Sequence, residues 1–175
     1  MKNPSLSDIL RLTDRLLTEH DVPHALIGGL AVGLRGYPRS TVDIDYLIRV
    51  EDSGAVRKAL ESAGFHCEAQ TAETLHFGGL GAVDFLLAQR PVSRAMLTAA
   101  DPVRDLDIPV LQVEDIIGLK IQAYHNDPSR EWKDLADIAE LIRANPELDW
   151  ERVRSHAALF QAEEKLEEIR ARVRP

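Results

Sequence analysis

The sequence predicts an α/β fold with a helical C-terminal part: a sheet flanked by helices over residues 1–111, then a helical region over residues 112–175 packed on it. Three observations predict it. Short apolar runs punctuated by glycine and proline alternate with stretches of helical periodicity through the first part. After Pro91 the periodicity changes, and from Val113 onward only helical patterns remain. Strands early and helices late are the order expected of an α/β domain followed by a helical part, with the boundary near Asp107 to Val113.

Each element has its own signal. Leu6 to Glu19 places Leu6, Ile9, Leu10, Leu12, Leu16 and Leu17 close to a 3.6-residue period, with Ser5 or Ser7 as cap, and so reads as an amphipathic helix. A strand near His24 to Ile27 runs into a turn at Gly28-Gly29 and a short helix ending near Gly36-Tyr37-Pro38. Val42 to Val50 reads as the second strand and Asp52 to Ala63 as a helix closed by Gly64. Phe65 to Ala69, Thr74 to Phe77 and Ala82 to Ala88 are three further strands, the last two joined as a hairpin by Gly78-Gly79-Leu80-Gly81. Val92 to Ala99 is a short helix and Ile108 to Leu111 a short extended segment that ends the sheet-rich half. Helices follow at Val113 to His125, at Arg130 to Ala144, and from Asp149 through the charged tail. There Leu159, Leu166, Ile169 and Val173 form a stripe that docks on the chain's own domain.

Composition excludes several classes of function. With 175 residues and 45% hydrophobic content the chain can bury a core without disulfides. Its single cysteine, Cys67, rules out an intrachain disulfide framework, and six scattered histidines offer no Cys/His zinc spacing, so aspartate and glutamate are the available metal ligands. His66, His76 and His125 read as ordinary surface or packing residues. No signal peptide is visible and every apolar run is far shorter than the roughly 20 residues of a membrane span, so a soluble, cytoplasmic protein is expected. A net charge of -8 argues against general affinity for nucleic acid, although a local basic rim of Arg35, Arg39, Lys120, Arg130 and Lys133 could admit an RNA end.

The chemistry concentrates in two places. Gly28-Gly29 follows an apolar strand and can let a phosphate approach the backbone, while lacking the pattern of a dinucleotide fingerprint or a P-loop. Asp43 and Asp45, at i and i+2 of the next strand, point to one face, and Asp84 breaks the apolar run Val83-Asp84-Phe85-Leu86-Leu87. Three carboxylates converging within about 4 Å would repel by roughly 4 kcal/mol per ionised pair, so they call for a cation or protons. Magnesium is the natural cation for oxygen ligands that also meet a triphosphate. In a two-ion arrangement Asp43 and Asp45 anchor the ions, with Mn2+ an alternative to Mg2+, and Asp84 completes the acceptor-side ion and helps take the hydroxyl proton. Arg39 and Thr41, just before the carboxylate strand, could touch phosphate or base. Lys120 stands on a mostly apolar helix among Ile116, Ile117, Ile121 and Tyr124, an odd place for a charge unless it reaches a phosphate or a carboxylate or snorkels to the surface. Arg130 with Asp134 and Lys133 with Asp137 are i, i+4 pairs that helix-surface ion pairing explains equally well.

Gly28-Gly29, then Arg39-Ser40-Thr41-Val42-Asp43-Ile44-Asp45, then Val83-Asp84-Phe85 resemble the polymerase-beta-like nucleotidyltransferase superfamily. Val113 to Lys120 and Arg130 to Ile138 are similar to the AbiEii/AbiGii group, toxins of type IV toxin–antitoxin systems, the likeness spanning roughly Leu26 to Leu141. The resemblance implies a nucleotidyltransferase-like mixed sheet and Mg2+-dependent transfer of a nucleoside monophosphate from an NTP to an acceptor hydroxyl. In some toxins of the group that acceptor is the 3′ end of tRNA, and a cognate antitoxin accompanies the toxin. By matching positions it makes Asp43 and Asp45 metal ligands, Lys120 a triphosphate contact and Asp134 a further active-site carboxylate. Gly28, Gly29, Arg39, Thr41 and Lys133 join Lys120 as nucleotide-binding candidates. The chain carries Gly29 where many members have serine, so a hydroxyl contact to phosphate is missing. Two other readings stay open: a non-catalytic nucleotide-binding or regulatory module of the same fold, and an enzyme acting on a protein or a small molecule.

Overall fold

A computed structural model describes residues 4–103 and 106–173 of the chain. In chain order the elements are α1 (Leu6–Glu19), β1 (His24–Ile27), α2 (Gly28–Leu34), β2 (Asp43–Arg49), α3 (Ser53–Ser62), β3 (His66–Gln70), β4 (Thr74–Gly78), β5 (Ala82–Ala88), α4 (Pro91–Ala99), β6 (Asp101–Val103), β7 (Leu106–Val110), α5 (Val113–Asn126), α6 (Glu131–Ala144), α7 (Trp150–Ala158) and α8 (Glu163–Val173). The chain divides into two units, one of Met1–Leu30 with Ser40–Leu111, the other of Ala31–Arg39 with Gln112–Pro175.

The first unit is built on a seven-stranded mixed sheet of order β3-β4-β5-β2-β1-β7-β6. β2 pairs parallel to β5 and antiparallel to β1, β1 pairs parallel to β7, and β4 joins β5 as the antiparallel hairpin that the glycine turn predicts. β1 is buried along its whole length between β2 and β7, which explains the unbroken apolar run Ala25-Leu26-Ile27. β2 and β5 instead alternate around buried Ile44, Tyr46, Val83 and Phe85, and this alternation puts Asp43, Asp45 and Asp84 at half-buried positions. Tyr46 stacks on Phe85 with ring centroids 5.6 Å apart, and Phe77 meets Phe85 edge-on at 5.7 Å, so three strands share one aromatic layer beneath the acidic residues. α1 begins with a capping box in which Ser5 accepts from the Asp8 amide and the Asp8 side chain accepts from the Ser5 amide.

The second unit is helical. In its core Asp115 of α5, fully buried, receives both Arg152 at 3.0 and 2.5 Å and His156 Nε2 at 2.9 Å from α7. Gly118 gives His156 its room, because a Cβ there would come within 2.8 Å of the imidazole. Ile117, Ile121, Ile138, Leu141, Val153 and Leu166 are all buried.

Three expectations are corrected. The tail is not one helix: it breaks after Ala158, where Gln161 adopts a positive φ of 54° and the Ala162 amide donates back to Ala157 O. Leu159 therefore leaves the apolar stripe and is 58% exposed, while Leu166 docks. Finally, Asp101–Val103 forms an edge strand against β7 that the sequence does not foretell, since Pro102 speaks against a strand and is tolerated only at an edge.

Candidate active site

Two adjacent parallel strands bring the acidic residues together. Asp45 of β2 is in register with Asp84 of β5, and Asp43 lies two residues before Asp45, so all three leave the sheet on one side at neighbouring positions. One carboxylate oxygen from each lies within 4.8 Å of the others, at half-buried positions. Ionised carboxylates at such spacing repel by several kcal/mol per pair, and a divalent cation relieves this. The donor set is all carboxylate oxygen, as hard cations such as Mg2+ require, and its spacing is compatible with ligands roughly 2 Å from a shared ion. The residues therefore fit a divalent metal.

Neighbouring residues hold this arrangement. β1 delivers Gly28 beside Asp45, since Ile27 is the register partner of Asp45. Gly28 takes a φ of +62°, and a Cβ built on it would overlap Asp45 Oδ2. The glycine thus serves two needs: a left-handed backbone where strand turns into helix, and an open space that the Asp45 carboxylate fills. The expected turn at Gly28-Gly29 is instead the first residue pair of α2, with Gly29 buried in it. The Thr41 hydroxyl donates to Asp43 Oδ1, so this candidate phosphate contact orients a carboxylate in the structure. His76 Nδ1 lies 2.9 Å from Asp84 Oδ1. Next along β2, burial pushes the Tyr46 phenol well above its ordinary range, while its oxygen sits 3.0 Å from the Thr13 hydroxyl.

The helical unit gathers the remaining candidates differently. Lys120 of α5 is buried, 6% exposed, with Nζ 2.8 Å from Asp134 Oδ1 and 2.7 Å from Asp137 Oδ2. Arg130 Nε reaches Asp134 Oδ2 at 3.2 Å and Arg39 Nε reaches Asp137 Oδ1 at 3.1 Å. Each buried aspartate is thus held between the lysine and one arginine, as buried carboxylates must be. Asp134 and Asp137 are not on the surface, and Asp137 takes Lys120 and Arg39, while Lys133 is exposed. Of the five residues expected to form a basic rim, Arg39, Lys120 and Arg130 are committed to these carboxylates.

Sequence reasoning reads His76 as an ordinary surface or packing residue and Asp137 as a surface partner of Lys133, whereas the structure sets them against Asp84 and against Lys120 and Arg39. For His76 the sequence carries no signal of this: the predicted turn Gly78-Gly79-Leu80-Gly81 is centred between residues 79 and 80 and would set residue 75 opposite residue 84, whereas the observed register sets His76 there. For Asp137 the signal is its i, i+3 spacing from Asp134, which puts both carboxylates on one helix face.

Residues 1–174 match the family described as uncharacterised nucleotidyltransferase. No curated protein sequence matches the chain. Among solved structures, the antibiotic-resistance factor ANT(2'')-Ia is similar with a TM-score of 0.66 at 17% identity, covering 94% of this chain and 95% of its own. The lincosamide antibiotic adenylyltransferase LnuA, solved with lincomycin bound, is similar with a TM-score of 0.56 at 20% identity, covering 80% of this chain and 98% of its own. An antigenic nucleotidyltransferase-like protein from Paracoccidioides brasiliensis is similar with a TM-score of 0.56 at 19% identity, covering 92% and 89%. At these identities the likeness is one of fold.

Proposed function

The chain belongs to this family of nucleotidyltransferases, and from that premise we propose that it moves a nucleoside monophosphate from an NTP to an acceptor hydroxyl, using Mg2+ held by Asp43, Asp45 and Asp84. The observation that carries the reading is the convergence of those three carboxylates, within 4.8 Å of one another, on two adjacent strands.

The chain's residues divide the work as follows. Asp43 and Asp45 present oxygens from alternate positions of β2, and Asp84 closes the set from β5. Thr41 orients Asp43, and Gly28 keeps open the space that Asp45 occupies. Mg2+ held by these carboxylates would neutralise triphosphate charge and make the acceptor hydroxyl more acidic. Asp84 accepts the hydroxyl proton on a carboxylate oxygen as the acceptor oxygen bonds to the α-phosphorus and the bond to the pyrophosphate oxygen breaks. Positioning and charge neutralisation supply most of such catalysis. The resemblance further assigns Lys120 to the triphosphate and Asp134 to the active site, with Arg39 and Lys133 as candidates for the nucleotide. NTP affinity of a Lys120→Met variant tests this assignment against the structural role that its two ion pairs support.

For the acceptor, the resemblance to AbiEii-like toxins implies the 3′ end of tRNA and a cognate antitoxin. A small-molecule hydroxyl is the second reading, and two observations favour it. The net charge is -8, and an antibiotic-resistance factor and a lincosamide antibiotic adenylyltransferase share the fold over 95% and 98% of their own length. Incubating the protein with each α-labelled NTP and separated RNA, protein and small-molecule fractions tests both. The proposal expects label in one fraction, lost in Asp45→Asn; equal labelling by that variant removes the site.

A further inference from the structure

Opposite Asp84 stands a histidine with no part in the chemistry above. His76 of β4 is the register partner of Asp84 on β5, and directly opposed residues of an antiparallel pair hold their Cβ atoms roughly 4.5–5.5 Å apart, within reach of an imidazole–carboxylate hydrogen bond. Nδ1 of the ring lies 2.9 Å from Asp84 Oδ1, and Nε2 lies 3.0 Å from Thr74 Oγ1. An ionised carboxylate only accepts, so Nδ1 carries the hydrogen. Thr71 Oγ1 accepts the amide hydrogens of Glu73 and Thr74 at 3.1 and 2.9 Å, which leaves its own hydrogen for Thr74 Oγ1 at 2.9 Å. Having accepted there, the Thr74 hydroxyl lies at hydrogen-bond distance from Nε2. Both ring nitrogens are then engaged, and the series is rooted in backbone amides of the turn between β3 and β4.

We propose that His76 is a positioning residue for Asp84: its Nδ1–H fixes the orientation of the Asp84 carboxylate, while Thr74 and Thr71 fix the ring. The inference rests on the reading of Asp43, Asp45 and Asp84 as a cation site. Asp84 is the member that needs such help. Its side chain is one-third exposed, and repulsion from Asp43 and Asp45 turns an untethered carboxylate outward. A hydrogen bond to an ionised acceptor is among the stronger kinds, and outer partners of this type govern how well metal ligands bind.

Mn2+ alone, titrated into the full chain and followed by electron paramagnetic resonance of the free ion, tests the proposal. His76→Leu is expected to weaken Mn2+ binding about 10-fold or more. His76→Asn, whose amide hydrogen takes the place of Nδ1–H, is expected to restore most of the loss, and Thr74→Val to cost a smaller factor. In the unaltered protein, nitrogen-15 spectra of the imidazole are expected to show hydrogen on Nδ1. A folded His76→Leu variant that binds Mn2+ as the wild type does, or a ring with no hydrogen on Nδ1, overturns the proposal. Asp84→Asn separates the two levels of the argument. If it weakens binding while His76→Leu does not, only the positioning role falls; if it binds as the wild type does, the cation-site reading falls with it.

Discussion

At Gly28 a single methyl group is enough to undo the site. Gly28→Ala would force a side chain into a left-handed backbone, at about 1–2 kcal/mol, and push the Asp45 carboxylate out of its space. The expected outcome is a modest fall in melting temperature together with loss of Mn2+ binding in calorimetry; unchanged binding would contradict the role given to that space. Tyr46 makes a different prediction. Burial raises its phenol in the folded state, so the stability it contributes is complete below its ordinary value near 10 and is lost as pH rises beyond it. Denaturant midpoints measured from pH 8 to 11 are expected to fall, and to fall less steeply in Tyr46→Phe. Lys120 is the third residue with a measurable consequence. Lys120→Met leaves two buried carboxylates with one arginine each, at a cost of about 3–5 kcal/mol in chemical denaturation, whereas an unchanged midpoint would refute its buried pairing. Residues 43, 45 and 84 are legible in the sequence because alternation alone decides which way a strand residue points, and a charge inside an apolar run needs a reason. His76 is not, because its meaning comes from a residue on another strand.

Elements are legible where a local signal marks their ends. α3 stops at Gly64, which takes a φ of 99° and lets the Phe65 amide reach Leu60 O, as the glycine predicts. α1 and α7 stop by the same hydrogen-bond pattern, but with Asp21 and Gln161 at the left-handed position, φ 53° and 54°. Nothing in the Gln161 side chain announces a stop, so the break between α7 and α8 reads in the sequence as continuous helix. The same observation yields a prediction: Gln161→Gly relieves the left-handed strain and is expected to raise stability by about 0.5–1 kcal/mol in denaturant titration. A drop would mean that the Gln161 side chain contributes more than its backbone costs.

For the whole molecule, charge and topology speak to partners and chemistry respectively. With a net charge of -8, and Arg39, Lys120 and Arg130 occupied by buried carboxylates, the protein offers little to a phosphate backbone. Filter binding to a long single-stranded RNA at physiological salt is therefore expected to give no saturable complex, and tight binding there would turn the acceptor question back toward RNA. No helix among the described residues is long and apolar enough to cross a membrane. The mixed sheet is what makes the chemistry possible, because only the parallel pairing of β2 with β5 sets Asp45 level with Asp84, although they are far apart in sequence. That pairing lies beyond local pattern: a hairpin such as β4 with β5 can be read, a crossover pairing cannot. The central claim is tested most directly by crystals grown with Mn2+ and a non-hydrolysable NTP, using the anomalous signal of manganese. The account predicts anomalous density between the carboxylates of Asp43, Asp45 and Asp84, with the α-phosphate beside it. Manganese bound elsewhere, with those three carboxylates bare, would contradict it.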